Sequence, residues 1–250
     1  MNDRHVFQID GSDSEAFLQG LITNDIQKLD QGLMYAALLT PQGKLIADFF
    51  LSRLKNAILI DVAACFADTL FARLQMYKLR SDVNISKTDL RVKRGTGPCP
   101  KHAVADCRHP ALGWRQFGST TATDDDGTDW DDIRVTHLIP ESGIELTEDT
   151  YILEAGFEAL NGVDFKKGCY VGQEVTARMH HKTDLRKGLR RVKVRGKAPV
   201  GTSIIADGKT VGTLYSQSRS FGIAHLRFQH IASNMVASEA VVNIVENDEV

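Results

Sequence analysis

The chain has 250 residues, 42% of them hydrophobic and 25% charged, with a net charge of -2, a composition that gives a soluble globular protein of one large domain or two to three small ones. So balanced a charge excludes a global pull toward nucleic acid or membrane, and any such binding must be local. Met1 to His5 carry an acid and no apolar run, which argues against a signal peptide; the most apolar stretch, Ala57 to Ala67, is short and broken by Asp61, and the four cysteines are widely spaced, so a cytosolic monomer without a membrane partner is expected.

Ser12-Asp13-Ser14-Glu15 has the form of a capping box and predicts a helix through Phe17, Leu18 and Leu21. Strands follow at Tyr35 to Leu39 and Leu45 to Leu51, joined by the turn Pro41-Gln42-Gly43, and a third at Ile58 to Val62. A helix is expected from about Ala64 to Leu79, its apolar face including Phe66, Leu70, Leu74 and Tyr77, then short strands near Val83 to Ile85 and Leu90 to Val92. Helices set between antiparallel strands indicate an α+β body rather than a doubly wound parallel sheet. Gly95-Thr96-Gly97-Pro98 reads as a linker, and a further helix is expected near Trp130 to Leu138. From Leu189 onward, short alternating segments at Arg191 to Val194, Val211 to Tyr215, Gly222 to Leu226 and Val241 to Val245 predict a small antiparallel β-barrel or sandwich. The division drawn from this is 1–94, 95–185 and 186–250.

Several constellations bear on chemistry. Lys166-Lys167-Gly168-Cys169-Tyr170-Val171-Gly172-Gln173-Glu174 sets one cysteine between glycines, behind two lysines and at the expected start of a helix. Positive charge and a helix N-terminus favour thiolate over thiol; the bland alternative is a structural turn holding a small hydrophobe. Glu154 in Leu153-Glu154-Ala155-Gly156 sits in an apolar context, so it is paired or binds something. A carboxylate can take two parallel hydrogen bonds from an Arg fork or from a pterin edge. The basic segment from Arg178 to Lys197 is a local positive patch, either a solvated face or a receiver for RNA phosphates or a ligand's carboxylate tail. Cys99, His102, Cys107 and His109 fit no common zinc spacing, the acidic run Asp124-Asp125-Asp126 reads as a solvated loop, and His180-His181 as a surface feature, so no metal site is expected. No glycine-rich phosphate loop, serine elbow or His-Glu-x-x-His helix occurs.

Together, Leu153 to Gly156 and Gly162 to Met179 resemble the signature of YgfZ-type proteins, folate-binding relatives of the glycine-cleavage aminomethyltransferase. The likeness extends to Phe17 through Asp25, Ala37 through Lys44, Leu79 through Val83, Arg108 through Arg115, Gly212-Thr213 and Ala224 through Arg227. The resemblance implies a mixed α/antiparallel-β body that binds tetrahydrofolate, followed by a β-barrel, in a protein that supports assembly or repair of iron–sulfur clusters, especially in tRNA-modifying enzymes. It implies Glu154 as the pterin anchor and Cys169 as a redox or transient ligand thiol. Asn24, Lys167, Gln173, Glu174 and Arg178 complete the expected folate site, with iron–sulfur client or assembly proteins as partners. The transferases carry adjacent aspartates where this chain has Asp48 alone, and Cys107 stands where the family's Asp-x-Arg segment carries proline. The resemblance therefore implies an accessory protein, with a one-carbon transferase using Asp48, or an RNA- or protein-binding module using residues 178–197, as the alternatives.

Overall fold

A computed structural model describes residues 3–119, 127–182 and 185–245. The chain divides into two units, one of Met1–Thr128 with Phe157–Ala177 and the other of Asp129–Gly156 with Arg178–Val250. This differs from the three-way division drawn from composition, because residues 129–156 group with the C-terminal segment and the Cys169 segment groups with the N-terminal sheet. The acidic run Asp124 to Asp126, Asp184 and the side chain of Lys182 lie outside the described residues.

In the first unit, strands β1 (Arg4–Asp10), β2 (Met34–Leu39), β3 (Leu45–Leu54), β4 (Ala57–Ala63) and β5 (Asn84–Lys87) form one sheet in the order β2-β3-β4-β1-β5. Its described pairings are antiparallel. Every residue of β2 is buried; a strand covered on both faces reads as a continuous apolar run, which is why Met34 to Leu39 shows no alternation. Helix α1 (Ser14–Gln19) and helix α2 (Ala64–Lys78) accompany the sheet, α2 burying Ala67, Leu70 and Leu74. The capping box does not form. Asp13 is the N-cap and makes no side-chain cap bond, while the Ser12 hydroxyl donates to Asp82 at 2.8 Å and that of Ser14 to the Gly11 carbonyl at 2.6 Å. A second small sheet has the order β6-β8-β7, from β6 (Arg91–Gly95), β7 (Val104–Ala105) and β8 (Trp114–Gly118).

In the second unit, α3 (Trp130–Thr136) starts at Asp129, whose side chain accepts from the Asp132 amide. The helix α4 (Gln173–Lys182) carries the boundary between the units. The remaining strands are β9 (Lys187–Arg195), β10 (Thr202–Ala206), β11 (Lys209–Ser218), β12 (Phe221–Arg227), β13 (Met235–Ala237) and β14 (Ala240–Ile244). They close into an antiparallel barrel in the order β10-β11-β12-β9-β14-β13. Closure removes the exposed edges that an open sheet would leave, and Val192, Val194, Ile204, Leu214, Leu226, Met235 and Val242 fill its core. No helix among the described residues is long and apolar enough to cross a membrane.

Candidate functional site

The Cys169 segment is held at both ends. On its N-terminal side the Thr23 carbonyl accepts from the Asp164 amide at 3.0 Å, and Asp164 takes the Lys166 amide at 2.7 Å and pairs with Lys28. Lys167 is 6% exposed, and its Nζ donates to the carbonyls of Gln19 (2.8 Å), Ile22 (2.6 Å) and Asn24 (2.9 Å). Gln19 is the last residue of α1, whose carbonyl has no helical partner, and Ile22 and Asn24 lie in the segment just after it, so one ammonium ties the helix end to the chain that follows. Burial pushes the Lys167 ammonium down to about 8, opposed by Asp25 and Asp164.

On the C-terminal side Gly172 has φ 84, and a Cβ there would lie 2.6 Å from the Thr40 carbonyl oxygen. The β2–β3 turn approaches equally closely in the other direction, since a Cβ on Gly43 would meet Val175 at 2.8 Å. Between the two anchors, Gly168 and Cys169 are exposed, and the thiol is free. Helix α4 begins at Gln173, so Cys169 does not stand at a helix N-terminus. The positive φ of Gly172 ends the loop and sets that start. Gln173 reaches back to the Gly168 carbonyl at 3.5 Å, and Glu174 is exposed.

Two other expected residues of this unit are engaged inside the fold. Asn24 spends both amide hydrogens on the carbonyls of Tyr35 (2.9 Å) and Asn161 (2.8 Å), and its Oδ1 accepts from the Asp25 amide. Asp48 is 2% exposed and accepts from the Tyr35 hydroxyl at 3.0 Å. Burial and the Asp48 charge hold that hydroxyl's pKa well above the usual tyrosine value.

In the second unit Glu154 is 9% exposed, and its backbone carbonyl accepts from the Leu189 amide of β9 at 2.8 Å. Its Oε2 meets His225 Nε2 at 3.2 Å and Lys187 Nζ at 3.4 Å. Both contacts fall on one oxygen. The described contacts leave Oε1 without a partner, and Glu154 borders cavities of about 490 and 190 Å³. Met179 of α4 lines the larger; Arg178, one residue earlier, is exposed.

The basic segment is not one face. Arg186 and Lys187 line the Glu154 cavity, Arg190 lies 4.2 Å over the Phe228 ring, and Arg191 donates to the Thr136 carbonyl at 3.1 Å. Lys193 and Arg195 are exposed on the barrel's outer side, as strand alternation requires. Of the functional contacts, the pairing of Glu154 with His225 and Lys187 was not foreseen, though both residues lie in segments singled out in the sequence. The register Leu226↔Gly188 and His225↔Leu189 brings them there. Among the described residues, no three His, Cys, Asp or Glu side chains gather as a metal-holding group.

Residues 186–249 match the family described as CAF17, C-terminal beta-barrel domain. The chain is similar to the iron-sulfur cluster assembly factor IBA57 homolog, mitochondrial, of Mycosarcoma maydis, with 31% identity over 74% of this chain and 54% of that protein. It is also similar to the mouse and human iron-sulfur cluster assembly factors IBA57, mitochondrial. The mouse protein is 28% identical over 97% of this chain and 83% of its own length, the human one 26% over 90% and 76%. The chain spans about half the length of the first curated relatives it matches. The crystal structure of glycine cleavage system aminomethyltransferase T from Bartonella henselae superposes with a TM-score of 0.74 over 96% of this chain and 81% of that one, at 13% identity. At that identity the likeness concerns the fold. The expectation of a cytosolic protein is corrected by the relatives, which are named as mitochondrial.

Proposed function

We propose that this chain is an accessory factor in iron–sulfur cluster assembly, which offers Cys169 as a transient ligand or redox thiol and binds a reduced folate through Glu154. The observation that carries the reading is the likeness to iron-sulfur cluster assembly factors along as much as 97% of the chain. An exposed thiol on a loop anchored at Lys167 and Gly172 supports it, because such a thiol can meet a partner's cluster without the loop first having to order. One cysteine supplies one ligand where stable clusters take four, so contact with the cluster is transient.

The folate reading is supported by the open Oε1 of Glu154. His225 and Lys187 hold the carboxylate by its other oxygen, leaving Oε1 of this cavity-lining residue to accept an N–H from a pterin edge. A reduced folate bound there would supply a one-carbon acceptor. The transferase alternative has less support, because Asp48 is buried beneath the Tyr35 hydroxyl and a group that assists a reacting nitrogen must reach it.

Anaerobic calorimetry with tetrahydrofolate tests the ligand. The wild type is expected to bind, and Glu154→Ala to weaken binding roughly 10- to 100-fold, the worth of a charge-assisted hydrogen bond. Cys169→Ala should bind folate as the wild type does and fail to support transfer of a cluster to an apo-ferredoxin acceptor. Unchanged cluster transfer by Cys169→Ala removes the thiol role, and no folate binding by the wild type removes the cofactor.

A further inference from the structure

The 490 Å³ cavity that Glu154 borders has a charge pattern that the folate reading leaves unused. Arg227 of β12 stands directly across from Lys187 of β9 in the antiparallel register. Residues so placed share a face with Cβ atoms about 5 Å apart, and like charges there repel. Arg186 comes immediately before Lys187 and lines the same cavity, with His230 beside Arg227. Lys187 leans on Glu154 at 3.4 Å. The side chains of Arg186 and Arg227 make no hydrogen bond or ion pair among the described residues, and the same holds for His230. Among the described lining residues, Arg186, Lys187 and Arg227 thus set three cations against the one carboxylate of Glu154, in a cavity whose lining also includes the apolar Met179 and Leu185.

We infer that this cavity binds a small anion with two or more closely spaced oxyanion groups, phosphate or carboxylate, held between the guanidinium groups of Arg186 and Arg227. A planar guanidinium offers paired donors that match either oxyanion, which a lysine cannot do. A cavity of about 490 Å³ is of small-molecule size, and Met179 and Leu185 give a carbon skeleton an apolar surface to lie on. Arg227, Gln229 and His230 also border a neighbouring space of about 310 Å³, which both Lys209 and Asp207 line. An anion held by Arg227 also offsets its cross-strand repulsion with Lys187, so occupancy stabilises the barrel as well as filling the cavity.

This inference does not rest on the folate reading, and its test uses probes without a pteridine. The full chain is titrated by calorimetry with diphosphate and, separately, with citrate, in buffer of low ionic strength. Binding of at least one is expected, and whichever binds more tightly identifies the phosphate or the carboxylate source. Arg227→Gln and Arg186→Gln, both at exposed positions, should each weaken that binding at least tenfold. Lys193→Gln removes the same charge from the barrel's outer side and should change binding less than twofold. Failure of both anions to bind, full affinity in both arginine variants, or equal weakening by Lys193→Gln would each overturn the site.

Discussion

Cys169 and Lys167 are two residues apart and have opposite relations to solvent, and that contrast governs what the thiol can do. The lysine was expected to lend its charge to the cysteine. Instead it turns inward and spends three donors on three backbone carbonyls. What remains for Cys169 is accessibility, which it shares with Cys65 and Cys99. Cys107 differs. Burial, and then the Asp106 charge, push its thiol up to about 12 against the opposing pull of Arg108 and Arg115. At pH 8 that leaves about one thiolate in ten thousand, and thiolate is the reacting form. Iodoacetamide at pH 8, followed by mass spectrometry, should modify Cys65, Cys99 and Cys169 first and Cys107 only when the protein is unfolded. Native-state labelling of Cys107 at the rate of Cys169 would contradict the burial.

At the scale of elements, the loop that presents Cys169 depends on glycine at its end. Gly172 combines a positive φ with a neighbour at 2.6 Å from the position of any Cβ. Gly172→Ala should therefore lower stability by about 2–4 kcal/mol in denaturant unfolding. Gly168→Ala, where a Cβ meets nothing within 4 Å, should change it by less than about 1 kcal/mol. Equal effects would mean the close approach of the β2–β3 turn is not what fixes the loop. The same contact explains a limit of the sequence reading. The block from Lys166 to Glu174 was legible as a functional segment from its glycines and cysteine, but a helix start at Gln173 depends on a turn contributed by residues 40–43. Strands β2, β3 and β4 were legible because their apolar runs end at turn residues. Strand β13 is three residues long, too short for alternation to register. The capping box failed because Asp82, about seventy residues away in the chain, takes the Ser12 hydroxyl.

Least legible of all were the buried charges that join the two sheets of the first unit. Arg115 of β8 bonds Asp106 and Asp61 of β4 at 2.9 Å each, Arg108 grips Asp106 at 3.1 and 3.0 Å, and Arg4 of β1 pairs with Asp61. Phe50 lies beneath the guanidinium groups of Arg108 and Arg115 at 4.7 and 3.8 Å. No local pattern connects positions 4, 61, 106 and 115; only the folded sheets do. Burial raises the Asp106 carboxyl, but Arg108 and Arg115 outweigh it and hold the pKa well below the usual range. Asp164 is lowered too, with Lys28 outweighing its burial. A carboxylate depressed in the folded state adds stability that is present above its unfolded pKa, about 3.9, and lost as pH falls through the folded value. The molecule should therefore lose stability progressively below about pH 4. Asp106→Asn should start about 3–5 kcal/mol less stable at pH 7, because Arg108 and Arg115 are left short of a buried partner. Its stability should then fall less steeply than the wild type's below pH 4, since one titrating group is gone. Urea unfolding of both proteins between pH 2.5 and 7 measures this. Parallel curves below pH 4 would mean that Asp106 does not drive the acid response and that the arginines find their compensation elsewhere in the network.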